Sequence, residues 1–179
     1  DTGGSSVADI SSLAGLTQMQ FLRIGGGGNI LDLTPLAGLT QLRSLALYSG
    51  GIDDIRALSG LTEMNSLDLP SNSISDISPL AGLTKLRSLD LSRNKISDIS
   101  PLAGLMKLKS LDLQWNQISA VGDLLDFMTR GDAYLSGNPL SCAEAQSLVL
   151  DDEPPTVHYF PLPTDFPPDA AHPVPIDCV

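Results

Sequence analysis

The apolar residues of this chain form a ladder that repeats every 22 residues. In residues 96–117 the rungs are Ile96, Ile99, Leu102, Leu105, Leu108, Leu111 and Leu113. One copy earlier they are Ile74, Ile77, Leu80, Leu83, Leu86, Leu89 and Leu91. In the first copy they are Val7, Ile10, Leu13, Leu16, Met19, Leu22 and Ile24. Six copies succeed one another, at 7–29, 30–51, 52–73, 74–95, 96–117 and 118–139, and across them the ladder breaks at Arg130. One amphipathic helix per copy does not fit. A spacing of three drifts around a helix of 3.6 residues per turn, and the last step of each copy is two.

That change of step predicts the elements. Residues 86–91, Leu-Arg-Ser-Leu-Asp-Leu, end in alternation, which predicts a strand. Ser78-Pro79, Ser100-Pro101 and Thr34-Pro35 predict a helix N-cap followed by proline at the first helical position. The few residues before Gly82 or Gly104 leave room for a short turn of 3₁₀ type. Asn72, Asn94, Asn116 and Asn138 recur where the strands end, where an amide side chain satisfies backbone groups that no sheet partner reaches. Gly50 replaces this asparagine, so the ladder is expected to break there, and the run from Gly25 to Gly28 predicts an irregular rim.

This pattern resembles the leucine-rich repeat, L-x-x-L-x-L-x-x-N-x-L. The 22-residue length and the segment ISDISPLAGLTKL resemble the internalin type found in bacterial surface and secreted proteins. The resemblance covers residues 7–140. It implies an α/β fold: a right-handed solenoid, or horseshoe, with a parallel concave sheet and short 3₁₀ or helical convex segments, each copy touching mainly its neighbours. It names no ligand, because such repeats are scaffold. Residues 1–6 are expected to be a flexible segment, and 140–179 a cap helix followed by a proline-rich acidic tail. Ser141 suits the N-cap of that helix, with Glu144 completing a capping box. No comparable cap precedes Val7, so either the parent is longer or repeat one offers an apolar edge for self-association. The start at Asp1, without Met or an apolar leader, reads as a processed or trimmed chain.

Composition adds to this picture. The 179 residues are one domain's worth, 42% apolar but 4% aromatic, so aliphatic side chains must build the core. The net charge is −11, which argues against nucleic acid or an anionic membrane surface as partner. No apolar run reaches the roughly 18 residues needed to span a bilayer. The charge is uneven: residues 1–130 hold 13 acids and 10 bases, whereas residues 131–179 hold 8 acids and no base. Cys142 and Cys178 stand near the two ends of the acidic tail; a disulfide between them, and with it an oxidising compartment, is the favoured reading, two free thiols the alternative. His158 and His172 lie in the same tail at no spacing typical of a metal site, so no metal or cofactor is expected.

Between the apolar rungs of the strands lie the side chains of the concave face. One column runs Arg23, Ala46, Asp68, Asp90, Asp112, Tyr134; a second runs Phe21, Ser44, Ser66, Ser88, Ser110, Asp132. Stacked aspartates about 4.8 Å apart would attract a cation or a basic partner, yet LDLSRN is close to the repeat's own consensus, which favours a scaffold role. Departures from the repeat are the better candidates: Phe21, Arg23 and Tyr48 at one end, Arg93, Trp115 and Tyr134 towards the other. Exposed aromatics and arginine are typical interface anchors. Ser88 beside Asp90 has no histidine base, since none precedes His158, and no phosphate loop or metal motif occurs. The expectation is therefore a non-enzymatic, extracytoplasmic module that binds a protein or peptide. A structural or regulatory segment of a larger protein is the alternative.

Overall fold

The computed structural model describes residues 9–25, 30–48, 50–124, 127, 131–141 and 157–158. Among them are seven parallel strands in one sheet, in sequence order: β1 (Phe21–Ile24), β2 (Ser44–Leu47), β3 (Ser66–Asp68), β4 (Ser88–Asp90), β5 (Ser110–Asp112), β6 (Asp132–Tyr134) and β7 (Val157–His158). From β2 to β6 each residue pairs with the one 22 places on, as Leu45 with Leu67 and Leu89 with Leu111. The step from β1 to β2 is 23, Leu22 to Leu45, which absorbs the extra glycine. β7 comes from the tail, where no strand was expected, and pairs Tyr134 with His158.

A 3₁₀ turn precedes each of the first six strands: Ser11–Leu13, Thr34–Leu36, Arg56–Leu58, Ser78–Leu80, Ser100–Leu102 and Gly122–Leu124. The turns and the sheet enclose one aliphatic core, in which Leu36, Leu58, Leu80 and Leu67 are fully buried. The expected Ser/Thr caps are corrected. Ser78 and Ser100 are the first residues of their turns, not caps. The acceptor is an aspartate two residues earlier: Asp76 takes the Ser78 N–H at 2.8 Å and Asp98 the Ser100 N–H at 2.9 Å. Asp9, Asp32 and Asp54 do the same in the first three copies. A carboxylate reaches the free N–H two positions on more directly than a hydroxyl inside the turn does. In the sixth copy Ala120 takes that aspartate's place.

The asparagines behave as expected. Asn94 accepts from the Ile74 N–H at 3.0 Å and donates to the carbonyls of Leu69 and Leu91, both at 2.9 Å. Asn116 and Asn138 repeat the arrangement. Asn72 is the last rung: it takes the N–H of Gly50, where the next asparagine would stand, and that of Ile52. Each amide thereby joins two consecutive copies through groups that water does not reach.

Phe127 is 5% exposed and its ring lies where a Cβ on Gly131 would come within 2.7 Å. The glycine therefore makes room for a ring larger than the leucine found there in other copies. The cap helix proposed from 141 onward lies, beyond Ser141, outside the described residues. So do Gly26, Gly27, Gly28, Cys142 and Cys178.

Candidate concave binding face

The register places the two columns read from sequence on one face. Phe21, Ser44, Ser66, Ser88, Ser110 and Asp132 are mutual neighbours in order, as are Arg23, Ala46, Asp68, Asp90, Asp112 and Tyr134. Alternation explains this: in β1 Phe21 and Arg23 face solvent while Leu22 and Ile24 turn inward. Beyond the strands the backbone ladder continues, with the Ser71, Arg93 and Trp115 N–H groups donating to the carbonyls of Ser92, Gln114 and Ser136.

At the β1 end the face sinks into a hollow of about 460 Å³ lined by Phe21, Leu22, Arg23, Ser44, Ala46, Tyr48 and Asp68. Ala46 is its cause, standing where three later copies carry aspartate. Phe21 is 71% exposed, far beyond what a core aromatic shows. The Arg23 guanidinium lies over the Tyr48 ring, 5.1 Å from its centre. The structure thus brings Phe21, Arg23, Tyr48 and Asp68 together around one concavity. Ser44 and Ala46 complete it and were not singled out from the sequence; the signal was the break in the aspartate column.

The floor is acidic. Asp90 Oδ1 accepts from the Ser92 N–H at 2.9 Å and from the Ser92 hydroxyl at 2.7 Å. Asp112 accepts from the Gln114 N–H at 3.0 Å and the Gln114 side chain at 3.2 Å. Burial, and then the charge of Asp90, raises the Asp68 carboxyl above its usual range; Ser66 and Arg23 oppose the shift. Burial also raises Asp112, against the hydrogen bond from the Gln114 backbone. The column is therefore a line of half-buried carboxylates with no ion pair among the described residues.

Towards the other end Arg93 lies over the Trp115 ring at 5.5 Å. The same ring rests on Gly137, where a Cβ would come within 2.7 Å. Both residues have φ near +57°, as does Ser71, and Gly137 follows at +79°. These four positions are 22 apart, so the four exit loops after β3 to β6 make the same left-handed bend and only Gly137 makes it without strain. Trp115 is accordingly packed against both Arg93 and Gly137. Tyr134 lies beside Asp112 in the register, and like Arg93 and Trp115 it stands outside the lining of the hollow.

The Leucine Rich repeats (2 copies) family matches residues 62–104 and 84–126. A crystal structure of internalin C2 from Listeria monocytogenes is 34% identical, with a TM-score of 0.68, over 75% of this chain and 59% of that one. This chain is an internalin-like leucine-rich repeat solenoid. A second Listeria monocytogenes internalin, inlF, is 31% identical over 78% of this chain and 54% of its own, with a TM-score of 0.56. A leucine-rich repeat protein of Leptospira interrogans shares the fold at 23% identity, with a TM-score of 0.70, over 76% of this chain and 36% of its own. This leucine-rich repeat chain thus spans well under two thirds of these relatives. No curated protein matches it in sequence. Its architecture is that of a protein-interaction repeat module. Among the described residues no helix is long and apolar enough to cross a membrane, and no three His, Cys, Asp or Glu side chains gather as metal ligands.

Proposed function

We propose that the concave face binds a protein or peptide, without catalysis, and that the chain does so outside the bacterial cytoplasm. The observation that carries this reading is the hollow: an exposed Phe21, a stacked Arg23–Tyr48 pair and Asp68 converge on one concavity of a rigid sheet. Aromatic and arginine side chains in such a setting anchor partners, and a few of them carry most of the affinity. Arg93, Trp115 and Tyr134 extend the surface at the other end, with Asp90 and Asp112 between. Once a partner is recovered with the intact chain, Phe21→Ala and Tyr48→Ala should each weaken binding by at least about tenfold. Unchanged affinity in both variants overturns the reading.

The disulfide between Cys142 and Cys178 belongs to the same proposal, since such bonds persist in oxidising compartments. Thiol titration of the denatured chain without reductant should find no free thiol; two would count against export. A second reading, a structural or regulatory segment of a larger protein, is favoured by the 59% and 54% of the internalin chains that this one spans. The length of the native gene product decides between them.

A further inference from the structure

Several bases on the described surface already have a partner. Arg56 pairs with Asp54 and Lys85 with Glu63, both at 2.6 Å. Arg23 lies over Tyr48 and Arg93 over Trp115. Arg87, Lys107 and Lys109 are exposed, make no such pairing, and are neighbours. Arg87 and Lys109 stand immediately before β4 and β5, at equivalent places in consecutive copies. The Lys109 and Ser110 N–H groups both donate to the Arg87 carbonyl, at 2.8 and 3.1 Å, which fixes the two backbones side by side. Lys107 precedes Lys109 by two residues with buried Leu108 between, and Lys85 precedes Arg87 likewise across buried Leu86. The result is an array of three cations without an ion-pair partner among the described residues, Arg87, Lys107 and Lys109, at the edge where the strands begin, with the Glu63-paired Lys85 at its fourth corner. It is sharply bounded: the equivalent pair is Glu63 and Asn65 in the copy before, and Thr129 and Gly131 in the copy after.

We propose that this array docks a short acidic segment of a partner protein. Its size sets the length of the segment. Strands lie about 4.8 Å apart and alternate residues about 6.7 Å apart, so the array matches two or three carboxylates, not a polymer. Its surroundings set the chemistry. Asp90 and Asp112 follow Arg87 and Lys109 by three residues on the floor, and the chain as a whole carries −11. A long polyanion such as nucleic acid or a sulfated glycan meets repulsion as soon as it leaves the array. A short acidic run in a neutral or basic chain does not. The attraction is between exposed charges, so it acts strongly on association rate and fades with salt. None of the four bases lines the hollow, so this docking surface stands or falls independently of the concave-face reading.

The test is an NMR titration of the isotope-labelled full chain with a blocked peptide bearing glutamates at alternate positions, and with its glutamine counterpart. At about 20 mM salt the glutamate peptide should give saturable shifts at residues 85–87 and 107–109, and these should vanish near 0.5 M salt. Reversing two charges, Arg87→Glu with Lys109→Glu, should weaken binding roughly tenfold, while Lys95→Glu, an exposed base elsewhere, should change it by less than about twofold. Should the double reversal fail to fold, Arg87→Gln with Lys109→Gln should still weaken binding roughly threefold. The proposal is overturned by absence of saturable shifts, by equal weakening in Lys95→Glu, or by equal binding of the glutamine peptide. A heparin tetrasaccharide that binds the same residues about tenfold more tightly than the glutamate peptide would also overturn it, as the mark of a sulfate site.

Discussion

Repeat one and repeat four carry the same ladder and bury it very differently. In repeat four, Ile74, Leu80, Leu83, Leu86 and Leu91 are all fully buried. In repeat one Ile10 is buried, but Leu13, Met19, Leu22 and Ile24 are half-exposed and Leu16 is 48% exposed. The local pattern decides which side chains turn inward. Whether they leave water is decided by the copies on either side, and among the described residues repeat one has a neighbour on one side only.

The comparison is broken most strongly by truncating equivalent rungs. Leu83→Ala should cost about 3–4 kcal/mol, whereas Leu16→Ala should cost less than about 1 kcal/mol; chemical denaturation of both variants measures the difference. Equal costs would mean that repeat one is packed as tightly as the interior. Next comes Asn94→Ala, which takes the acceptor from the buried Ile74 N–H and one of two asparagine donors from each of the Leu69 and Leu91 carbonyls, at about 2 kcal/mol in the same measurement. Smaller and opposite in sign, Ser71→Gly should stabilise by about 1 kcal/mol, because glycine accepts the left-handed bend that serine holds at φ 57°.

The aspartates supply a comparison of convex and concave sides through pH. Asp54, hydrogen-bonded by Arg56, is lowered from 3.8 to about 2; Asp32, Asp76 and Asp98 are lowered first by the hydroxyls of Thr34, Ser78 and Ser100 and then by the N–H groups they cap, and Asp9 first by the Ser11 N–H. A lowered folded-state value stabilises above the unfolded value of 3.8, and at Asp54 that stability is lost as pH falls from there towards about 2. Asp68 and Asp112 are raised, so their ionised forms oppose folding at neutral pH and protonation relieves them above the point where the caps begin to fail. Thermal melts should therefore show Asp112→Asn more stable than wild type at pH 7 and the gain gone in acid. The smallest effects are expected at the caps themselves. Asp76→Ala should lower Tm by a few degrees, and Ala120→Asp, which restores the missing carboxylate, should raise it by a similar amount.

The ladder, the strands and the asparagine rungs were legible because their causes are periodic and local. The left-handed bends were not. Ser71, Arg93 and Trp115 carry none of the usual Gly or Asn signal, and only Gly137, one copy later, hints at the conformation. The capping aspartates were readable in principle, since Asp9, Asp32, Asp54, Asp76 and Asp98 recur two residues before each of the first five turns; the proline after Ser78 pointed instead to the serine. β7 had no signal, because Val157 and His158 are too few to show alternation and their pairing depends on a distant strand. At the concave face the aromatic residues and Arg23 were recognisable as departures from the repeat. The hollow they surround required the register, because it exists where Ala46 carries only a methyl between the longer side chains of Arg23 and Asp68.

The asparagine rungs also bear on how such a gene changes length. Each rung bonds to residues 3, 20 and 25 positions behind it, as Asn94 does to Leu91, Ile74 and Leu69. Excise residues 74–95 as a block and Asn116 finds Leu69 where Leu91 had been, with Ile96 still in place. Recombination that gains or loses one whole copy leaves every rung satisfied, whereas an insertion of a single residue within a copy breaks one. The solenoid is thus a tape that can be spliced only at whole-repeat marks.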